Sequence, residues 1–114
     1  MQDTAFDFMW ELLNPSPQYN DRKDKCRALF NALHINRQRL MYRTYRDKKR
    51  EGLTIPENPY FAISNFEVPE PTNYNGTANA ARMLDQGKVI PAWYNGQCGL
   101  YTKEDVQLYG MTPR

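Results

Sequence analysis

The chain has 114 residues, a length that supports one domain with a modest core rather than two independent domains. Hydrophobic residues make up 40% and charged residues 25% of the sequence, a composition that argues against a disordered chain and predicts a polar surface. No apolar stretch reaches the roughly 18 residues of a membrane span, and the N-terminal sequence lacks the features of a secretory signal. We therefore expect a cytoplasmic protein without a membrane partner.

The net charge of +2 conceals one strongly basic segment. Residues 22–51 contain eleven Lys or Arg against three acids, a balance of +8, whereas residues 1–21 carry −4 and residues 52–114 carry −2. A polyanionic partner is therefore expected to bind within residues 22–51.

The first predicted element is a short amphipathic helix that follows Asp3 or Thr4 as N-cap and stops at Asn14, before a proline. Its apolar side chains recur at helical spacing, at Phe6, Met9, Trp10 and Leu13. A proline-stiffened connection, NPSPQYN, leads to a second helix capped by Asn20 or Asp21. One apolar stripe runs along that helix, at Cys26, Leu29, Phe30 and Leu33.

The third predicted helix carries most of the basic charge. Asn36 is its predicted N-cap, Arg37 its first residue and Gly52 its C-terminal stop, while Ile35 is placed to pack onto Leu40 as a hydrophobic staple. At about 100° per residue, four of its arginines lie within roughly 60° of one another. These four, called the arginine row below, are Arg39, Arg43, Arg46 and Arg50.

The arginine row suits a phosphate backbone, because each guanidinium can form two parallel hydrogen bonds with phosphate oxygens. Lys49 flanks the row, Arg37 adds a guanidinium near the start of the helix, and the bases at 22, 23, 25 and 27 would widen the surface. Two other interpretations stay open: a solvated face that pairs with local or N-terminal acids, and a surface for an acidic protein. A helix-turn-helix alignment, with positions 29, 33, 35 and 40 buried, is a further alternative.

Two more elements precede the C-terminal part of the chain. Asn58 as N-cap and Pro59 as first residue predict a short helix that carries Tyr60 and Phe61. An extended, proline-containing loop follows over about residues 67–76. A second short helix is expected within TANAARML, stopping near Gly87.

A β-hairpin is the most specific local prediction. Its strands are KVIPAWYN and QCGLY, and Asn95 with Gly96 forms a type I′ turn. Pro91 cannot donate to a sheet ladder, so we expect the first strand to lie at the sheet edge or to pair on one side only. Thr102 caps a closing helix that ends at Gly110.

Motifs for catalysis are absent from the sequence. His34 is the single histidine, there is no CxxC or HExxH, and no glycine-rich phosphate loop is present. We therefore expect no enzymatic activity, no metal site and no cofactor. Cys26 and Cys98 are expected to be free thiols, since disulfides are rare in the cytosol.

The run from Trp10 through DRKDKCRALFNAL to NPYFAISNF resembles the helical segment of replication accessory proteins of phages and mobile elements, of the DnaT or replisome-organiser kind. The resemblance covers about residues 6–66. It implies DNA binding, on single strands in that family, by the matching basic and aromatic positions. These are Arg39, Arg43, Arg46, Tyr60 and Phe61. The hairpin and closing helix resemble the ends of uncharacterised small mobile-element proteins.

These observations predict an α+β fold: a small, mostly helical domain with a C-terminal β-hairpin followed by a short helix. A single domain is expected over residues 1–114, with a helical part at about 1–66, the loop at 67–76, and a helix, the hairpin and the closing helix at 77–111. The leading hypothesis is a non-enzymatic accessory protein of a phage or mobile element that binds DNA, single-stranded or duplex. The alternative is a protein-binding adaptor or inhibitor that uses the basic face or exposed aromatics, since alternation places Trp93 and Tyr94 on opposite faces of the hairpin.

Overall fold

The computed structural model describes residues 4–114 and begins with helix α1, Thr4–Leu13. Asn14 ends α1 as predicted: its φ of 47° lets its N–H donate to the Trp10 carbonyl at 3.0 Å, before a proline breaks the helix. The alternative N-cap Asp3 lies outside the described residues. A 3₁₀ helix over Pro17–Arg22 follows, and then come the helices α2 (Lys23–Ala32), α3 (Ile35–Arg50) and α4 (Pro59–Ser64).

The C-terminal part combines strands with short helices. In chain order the elements are α5 (Ala80–Asp85), β1 (Val89–Tyr94), β2 (Gln97–Thr102), α6 (Lys103–Leu108) and β3 (Thr112–Pro113). The predicted α+β class with a hairpin and a closing helix is therefore confirmed. The chain divides into two compact units, Met1–Pro69 and Glu70–Arg114, called the helical unit and the hairpin unit below. The single domain over the whole chain stays a prediction.

The helical unit is built around aromatic rings. Phe6 of α1 lies 6.0 Å from Phe30 of α2 between ring centroids, α1 packs against α3, and α4 packs against α2. No helix within residues 4–114 has both the length and the apolar character of a membrane span. The buried side chains of this unit are Phe6, Met9, Cys26, Phe30, Leu40, Met41, Tyr45, Pro59, Ala62, Ile63 and Phe66.

The starts of α2 and α3 differ from the prediction. The predicted N-cap of α2, Asn20 or Asp21, lies inside the 3₁₀ helix, and α2 begins without a side-chain cap. The N-cap of α3 is His34 rather than Asn36, because the His34 Nδ1 accepts from the Asn36 N–H at 3.1 Å. Ile35 thereby becomes the first helical residue and stays 48% exposed, so the staple and the helix-turn-helix alignment that bury it are not supported.

The end of α3 follows the prediction. Gly52 adopts a φ of 74°, and the Leu53 N–H donates back to the Lys48 carbonyl at 2.8 Å, which satisfies one of the last carbonyls of the helix. A side-chain amide performs the same task for α2. Gln38 Nε2 donates to the carbonyls of Phe30 at 2.7 Å and Leu33 at 3.1 Å, which ties the start of α3 to the end of α2.

Tyr45 joins α3 to α4 in the core of the helical unit. Its ring meets the edge of the Phe66 ring at 5.7 Å between centroids, and its hydroxyl donates to the buried carbonyl of Ala62, in the last turn of α4. Burial raises the pKa of Tyr45 from 10.0 to about 12. The neutral phenol is therefore part of the folded state.

Tyr45→Phe is expected to lower the free energy of unfolding by about 1–2 kcal/mol near pH 8, because the Ala62 carbonyl loses its donor. Because the pKa of Tyr45 is higher in the folded than in the unfolded protein, this tyrosine contributes stability that is fully present below pH 10. That contribution is lost as the pH rises through 12. The difference between the two proteins should therefore shrink above pH 10, by about 1.4 kcal/mol per pH unit. Urea unfolding followed by circular dichroism from pH 8 to pH 11 measures it, and a difference that stays constant would contradict the assignment.

The hairpin forms in the predicted register. β1 and β2 pair antiparallel from Val89 opposite Thr102 to Tyr94 opposite Gln97. Asn95 and Gly96 have φ values of 52° and 77°, as a type I′ turn requires.

The closing helix and the hairpin share a small core. Thr102 caps α6 as predicted, since its Oγ1 accepts from the Asp105 N–H at 3.1 Å, and Gly110 follows the helix with a φ of 64°. The predicted helix within TANAARML is shorter than expected, because α5 begins only at Ala80. The central buried side chains of this unit are Ala92, Tyr101, Val106 and Met111.

β1 is the middle strand of the sheet, whose order is β2-β1-β3, so the expected edge position of the first strand is wrong. Pro91 lies opposite Leu100, whose N–H and carbonyl turn away from β1 to the Asn73 side chain and the Tyr74 N–H. The N–H that proline lacks is consequently not needed for pairing with β2. On the other side of β1, the Pro91 carbonyl accepts from the Arg114 N–H at 3.0 Å.

The segment before α5 covers the outer edge of β2. Leu100 N–H donates to Asn73 Oδ1 at 3.0 Å, and Tyr74 N–H donates to the Leu100 carbonyl at 2.9 Å. The same Asn73 oxygen accepts from the Asn75 N–H at 3.0 Å. The first of the two Tyr-Asn-Gly sequences of the chain therefore pairs with the hairpin that the second one turns.

Candidate functional site

The arginine row lies on the solvent side of α3, in agreement with its predicted orientation. Arg39, Arg46 and Arg50 are exposed and Arg43 is half-buried, whereas Met41 and Tyr45 are buried. The 3.6-residue period of the helix accounts for this division, since the arginines and the two core residues fall on opposite sides.

Asp47 neutralises part of the row. Its Oδ1 lies 2.8 Å from Arg50 Nη2 and 3.3 Å from Arg46 Nη2, so one carboxylate oxygen serves two guanidiniums. Both arginine side chains remain largely solvent-exposed, at 49% for Arg46 and 70% for Arg50. Surface ion pairs of this kind contribute about 0–1 kcal/mol, so a phosphate group can compete for the same guanidiniums at little cost.

Lys49 is held beside α1 rather than on the row. Its Nζ donates to the Leu12 carbonyl at 3.1 Å, in the last turn of α1. Carbonyls at a helix C-terminus carry partial negative charge and lack intrahelical donors, so an ammonium group is stabilised there. Lys49, which was predicted to bind nucleic acid, therefore also connects α3 to the end of α1.

The N-terminal part of α3 carries Arg37 and Arg39, and both are exposed. The first turn of the helix contains no acidic residue. A cation in the first turn of a helix opposes the helix dipole, at a cost of about 0.3–1 kcal/mol, and the effect falls off beyond that turn. The helix dipole therefore gives Arg37 no stabilising role. By helical spacing Arg37 points about 160° away from Arg39, so it lies at the start of α3 but not on the row.

Three of the four basic residues at 22, 23, 25 and 27 contact aromatic rings of the helical unit. Arg22 lies over Tyr19 at 5.5 Å from the ring centroid, Lys23 over Trp10 at 5.8 Å and Arg27 over Phe6 at 5.3 Å. Arg27 also pairs with Asp24 at 2.6 Å. These cations stabilise the helical unit through cation–π contacts, so they add less to the basic surface than expected.

Tyr60 and Phe61 are both on the surface of α4, 39% and 52% exposed. The predicted start of the helix positions them, since Asn58 Oδ1 accepts from the Tyr60 N–H at 3.0 Å and Pro59 is the first helical residue. Phe61 lines a cleft of about 400 Å³ together with Thr44 and Lys48 of α3.

The cleft and the arginine row are separate parts of the helical unit. By helical spacing Thr44 and Lys48 point more than about 100° away from the centre of the row. The structure therefore does not bring Phe61 together with the arginines. Sequence reasoning missed this cleft; the local signal for it was the four-residue spacing between Phe61 in α4 and Asn65, which caps the end of that helix.

Within residues 4–114 the thiols and acids show no further site. Cys26 is buried in the helical unit, and desolvation raises the pKa of its thiol although the charge of Arg22 opposes the shift; Cys98 is half-buried. Both cysteines are free, as predicted. Among residues 4–114 no group of three or more His, Cys, Asp or Glu side chains is placed to hold a metal ion.

The hairpin unit carries its own exposed aromatic. Tyr94 packs edge-on against Tyr101 and Tyr109, at 6.1 and 6.0 Å between centroids. Trp93 points to the other face of the sheet and is 45% exposed, which confirms the predicted alternation. Cys98 is the cross-strand partner of Trp93, and its Sγ accepts a hydrogen bond from Arg114 Nη1 at 3.8 Å.

Comparison of the chain with protein-family models, with curated proteins and with solved structures found no match. The resemblance to replication accessory proteins accordingly stays a prediction from the sequence, and the function has to be argued from the residues themselves.

Proposed function

We propose that the protein binds nucleic acid, DNA in the first place, through the arginine row of α3, without catalysing a reaction. The observation that supports this most directly is the excess of guanidinium charge on one exposed helix face. Asp47 pairs with both Arg46 and Arg50, so one carboxylate charge is set against two exposed guanidiniums, and Arg39 is exposed on the same face. Such an excess is unfavourable for the isolated protein and becomes favourable when phosphates bind.

The row matches a phosphate backbone in chemistry and in spacing. Successive arginines three or four residues apart on a helix lie about 5–6 Å from each other at their Cβ atoms. Guanidinium groups bind phosphate oxygens in a bidentate manner, which ammonium groups cannot do. Binding by such contacts is largely independent of sequence, as expected for an accessory protein rather than a specific repressor. The phage or mobile-element context, and a cytoplasmic location, rest on the sequence alone.

The salt dependence of binding tests the proposal. If three or four arginines contact phosphates, the logarithm of the association constant should fall with the logarithm of salt concentration with a slope of about −2 to −4. Fluorescence polarisation with labelled single-stranded and duplex 20-mers between low and physiological salt measures this slope. A slope near zero, or no binding at low salt, would reject the arginine row as a phosphate site.

A protein-binding adaptor or inhibitor is the second candidate, and the exposed ring of Trp93 favours it. Trp and Arg are enriched among the residues that contribute most to protein interfaces, and Arg114 contacts Cys98, the cross-strand partner of Trp93. Binding of a protein through this face would depend on Trp93 and would respond weakly to salt, which separates it from the leading proposal.

A further inference from the structure

The cleft between α3 and α4 has an aromatic floor and a polar rim. Tyr45 and Phe66 form the floor, 4% and 8% exposed, with their rings in edge contact. The Tyr45 hydroxyl is engaged by the Ala62 carbonyl, so the floor presents ring surface to whatever enters. A volume of about 400 Å³ lies in the range of pockets that hold small organic molecules.

The rim offers groups without partners. Within the part of the chain that the structure describes, neither Lys48 nor Glu67 forms an ion pair, and the Asn65 side-chain amide makes no hydrogen bond. The Phe61 ring at the same rim is 52% exposed. An open aromatic ring, an ammonium, a carboxylate and an amide therefore surround one opening.

This combination restricts the class of ligand. A purely apolar molecule would desolvate Lys48 and Glu67 without replacing their hydrogen bonds. A simple anion would be repelled by Glu67 and has no planar surface that could stack on the Phe61 ring. A planar heterocycle with hydrogen-bonding edges and an attached phosphate uses all four groups: the ring stacks on Phe61, the amide and carboxylate meet its edge, and the ammonium meets the phosphate.

We propose that this cleft binds one nucleotide whose base carries an exocyclic amino group. The carboxylate of Glu67, which has acceptors and no donor, takes a hydrogen bond from that amino group, as carboxylates do from N4 of cytosine. A uracil base places a carbonyl oxygen there and is repelled. Asn65 donates and accepts at the neighbouring base edge, and Lys48 contacts the phosphate. The nucleotide is either free or an unpaired nucleotide of a strand, and the cleft lies apart from the arginine row, so this site goes beyond the proposed function.

Titration of the ¹⁵N-labelled protein with cytidine 5′-monophosphate and uridine 5′-monophosphate, followed by NMR, tests the proposal. We expect the cytidine nucleotide to shift the backbone amide signals of Lys48, Asn65 and Glu67 and to bind roughly tenfold more tightly than the uridine nucleotide. Equal affinities, or shifts located elsewhere in the chain, would overturn the proposal.

Two variants identify the groups. Glu67→Gln should abolish the preference between the two nucleotides, because an amide side chain both donates and accepts. Phe61→Ala should weaken cytidine nucleotide binding at least tenfold, since stacking on an aromatic ring contributes substantially to base binding. Phe8→Ala is the matched control: Phe8 is a phenylalanine on α1, 56% exposed and outside the cleft, and its loss should change nothing. Equal binding by the Phe61 and Phe8 variants would sink the proposal.

A further arm distinguishes the source of the nucleotide and separates this site from the arginine row. If the ligand is part of a strand, an oligocytidylate 12-mer binds more tightly than the mononucleotide, and Phe61→Ala weakens its binding. If the ligand is a free nucleotide, Phe61→Ala affects the mononucleotide only. Either result supports the cleft. Charge reversal in the arginine row leaves the mononucleotide titration unchanged, so loss of DNA binding would reject the proposed function without touching this inference.

Discussion

Arg39→Glu combined with Arg46→Glu is expected to reduce DNA affinity by roughly a hundredfold or more at low salt. Two charge-assisted hydrogen bonds, each worth about 1.5–3 kcal/mol, would be replaced by repulsion from the phosphates. The slope of the salt dependence should fall in magnitude by about two, one unit for each lost contact. Fluorescence polarisation at several salt concentrations gives both numbers.

These two arginines are the best choice within the row because their loss should leave the fold intact. Both are exposed, and the contact that breaks, between Arg46 and Asp47, is a surface ion pair that contributes little to stability. Thermal unfolding by circular dichroism should show only a small change in melting temperature. Arg43 is half-buried, so its reversal would mix binding with stability.

The control keeps the change in net charge and moves it elsewhere. Lys88→Glu with Lys103→Glu also takes the net charge from +2 to −2, but both residues are exposed in the hairpin unit, far along the chain from α3. If the row is a local phosphate site, this control loses much less affinity than the arginine variant. Equal losses would mean that only the overall charge of the protein matters, and the proposed site would be wrong.

Local backbone requirements made several elements of this fold predictable. Asn95 and Gly96 tolerate positive φ, Thr102 supplies a capping hydroxyl, and Pro59 supplies a fixed φ after a capping asparagine. Each signal involves residues within about four positions of each other, so neighbours in the sequence are enough to determine the local structure.

The failures have two physical origins, an uncommon local cap and a contact between distant segments. The start of α3 shifted by two residues because a histidine ring nitrogen, which propensity rules rank below asparagine as a cap, accepts the Asn36 N–H. β1 became the middle strand because a two-residue strand, Thr112–Pro113, pairs with it from near the end of the sequence. Short strands of this kind leave no periodic pattern to detect.

The candidate site divides in the same way. The arginine row and its pairing with Asp47 follow from helical spacing, which the sequence displays directly. The contact of Lys49 with α1 spans 37 positions, and the cleft joins residues from Thr44 to Glu67. No local rule predicts which lysine of a basic helix will meet a distant carbonyl or border a cleft, since all of them look alike in the sequence.

Gly99→Ala adds a single methyl group and is expected to lower the free energy of unfolding by about 2–3 kcal/mol. A Cβ at this position would lie 2.7 Å from both Oδ1 and Nδ2 of Asn73, closer than nonbonded atoms approach. The φ of Gly99 is not in the left-handed region, so alanine adds no backbone strain and the cost comes from the contact alone.

Asn73 cannot move away without loss, because its Oδ1 accepts from the N–H groups of both Leu100 and Asn75. The clash therefore breaks either these two hydrogen bonds or the packing of β2. Asn73→Ala alone should cost about 1–2 kcal/mol for the lost hydrogen bonds. If the clash is the cause, the double variant is more stable than the sum of the two single changes predicts, by at least about 1 kcal/mol.

Urea unfolding of the four proteins completes this double-mutant cycle. Additive costs, or a Gly99→Ala protein as stable as the wild type, would show that Asn73 does not lie against Gly99. Coupling between the two substitutions would support a structural role for both Tyr-Asn-Gly sequences. The second turns the hairpin, and the first follows the asparagine that covers the outer edge of β2, where unpaired backbone groups would otherwise recruit another strand.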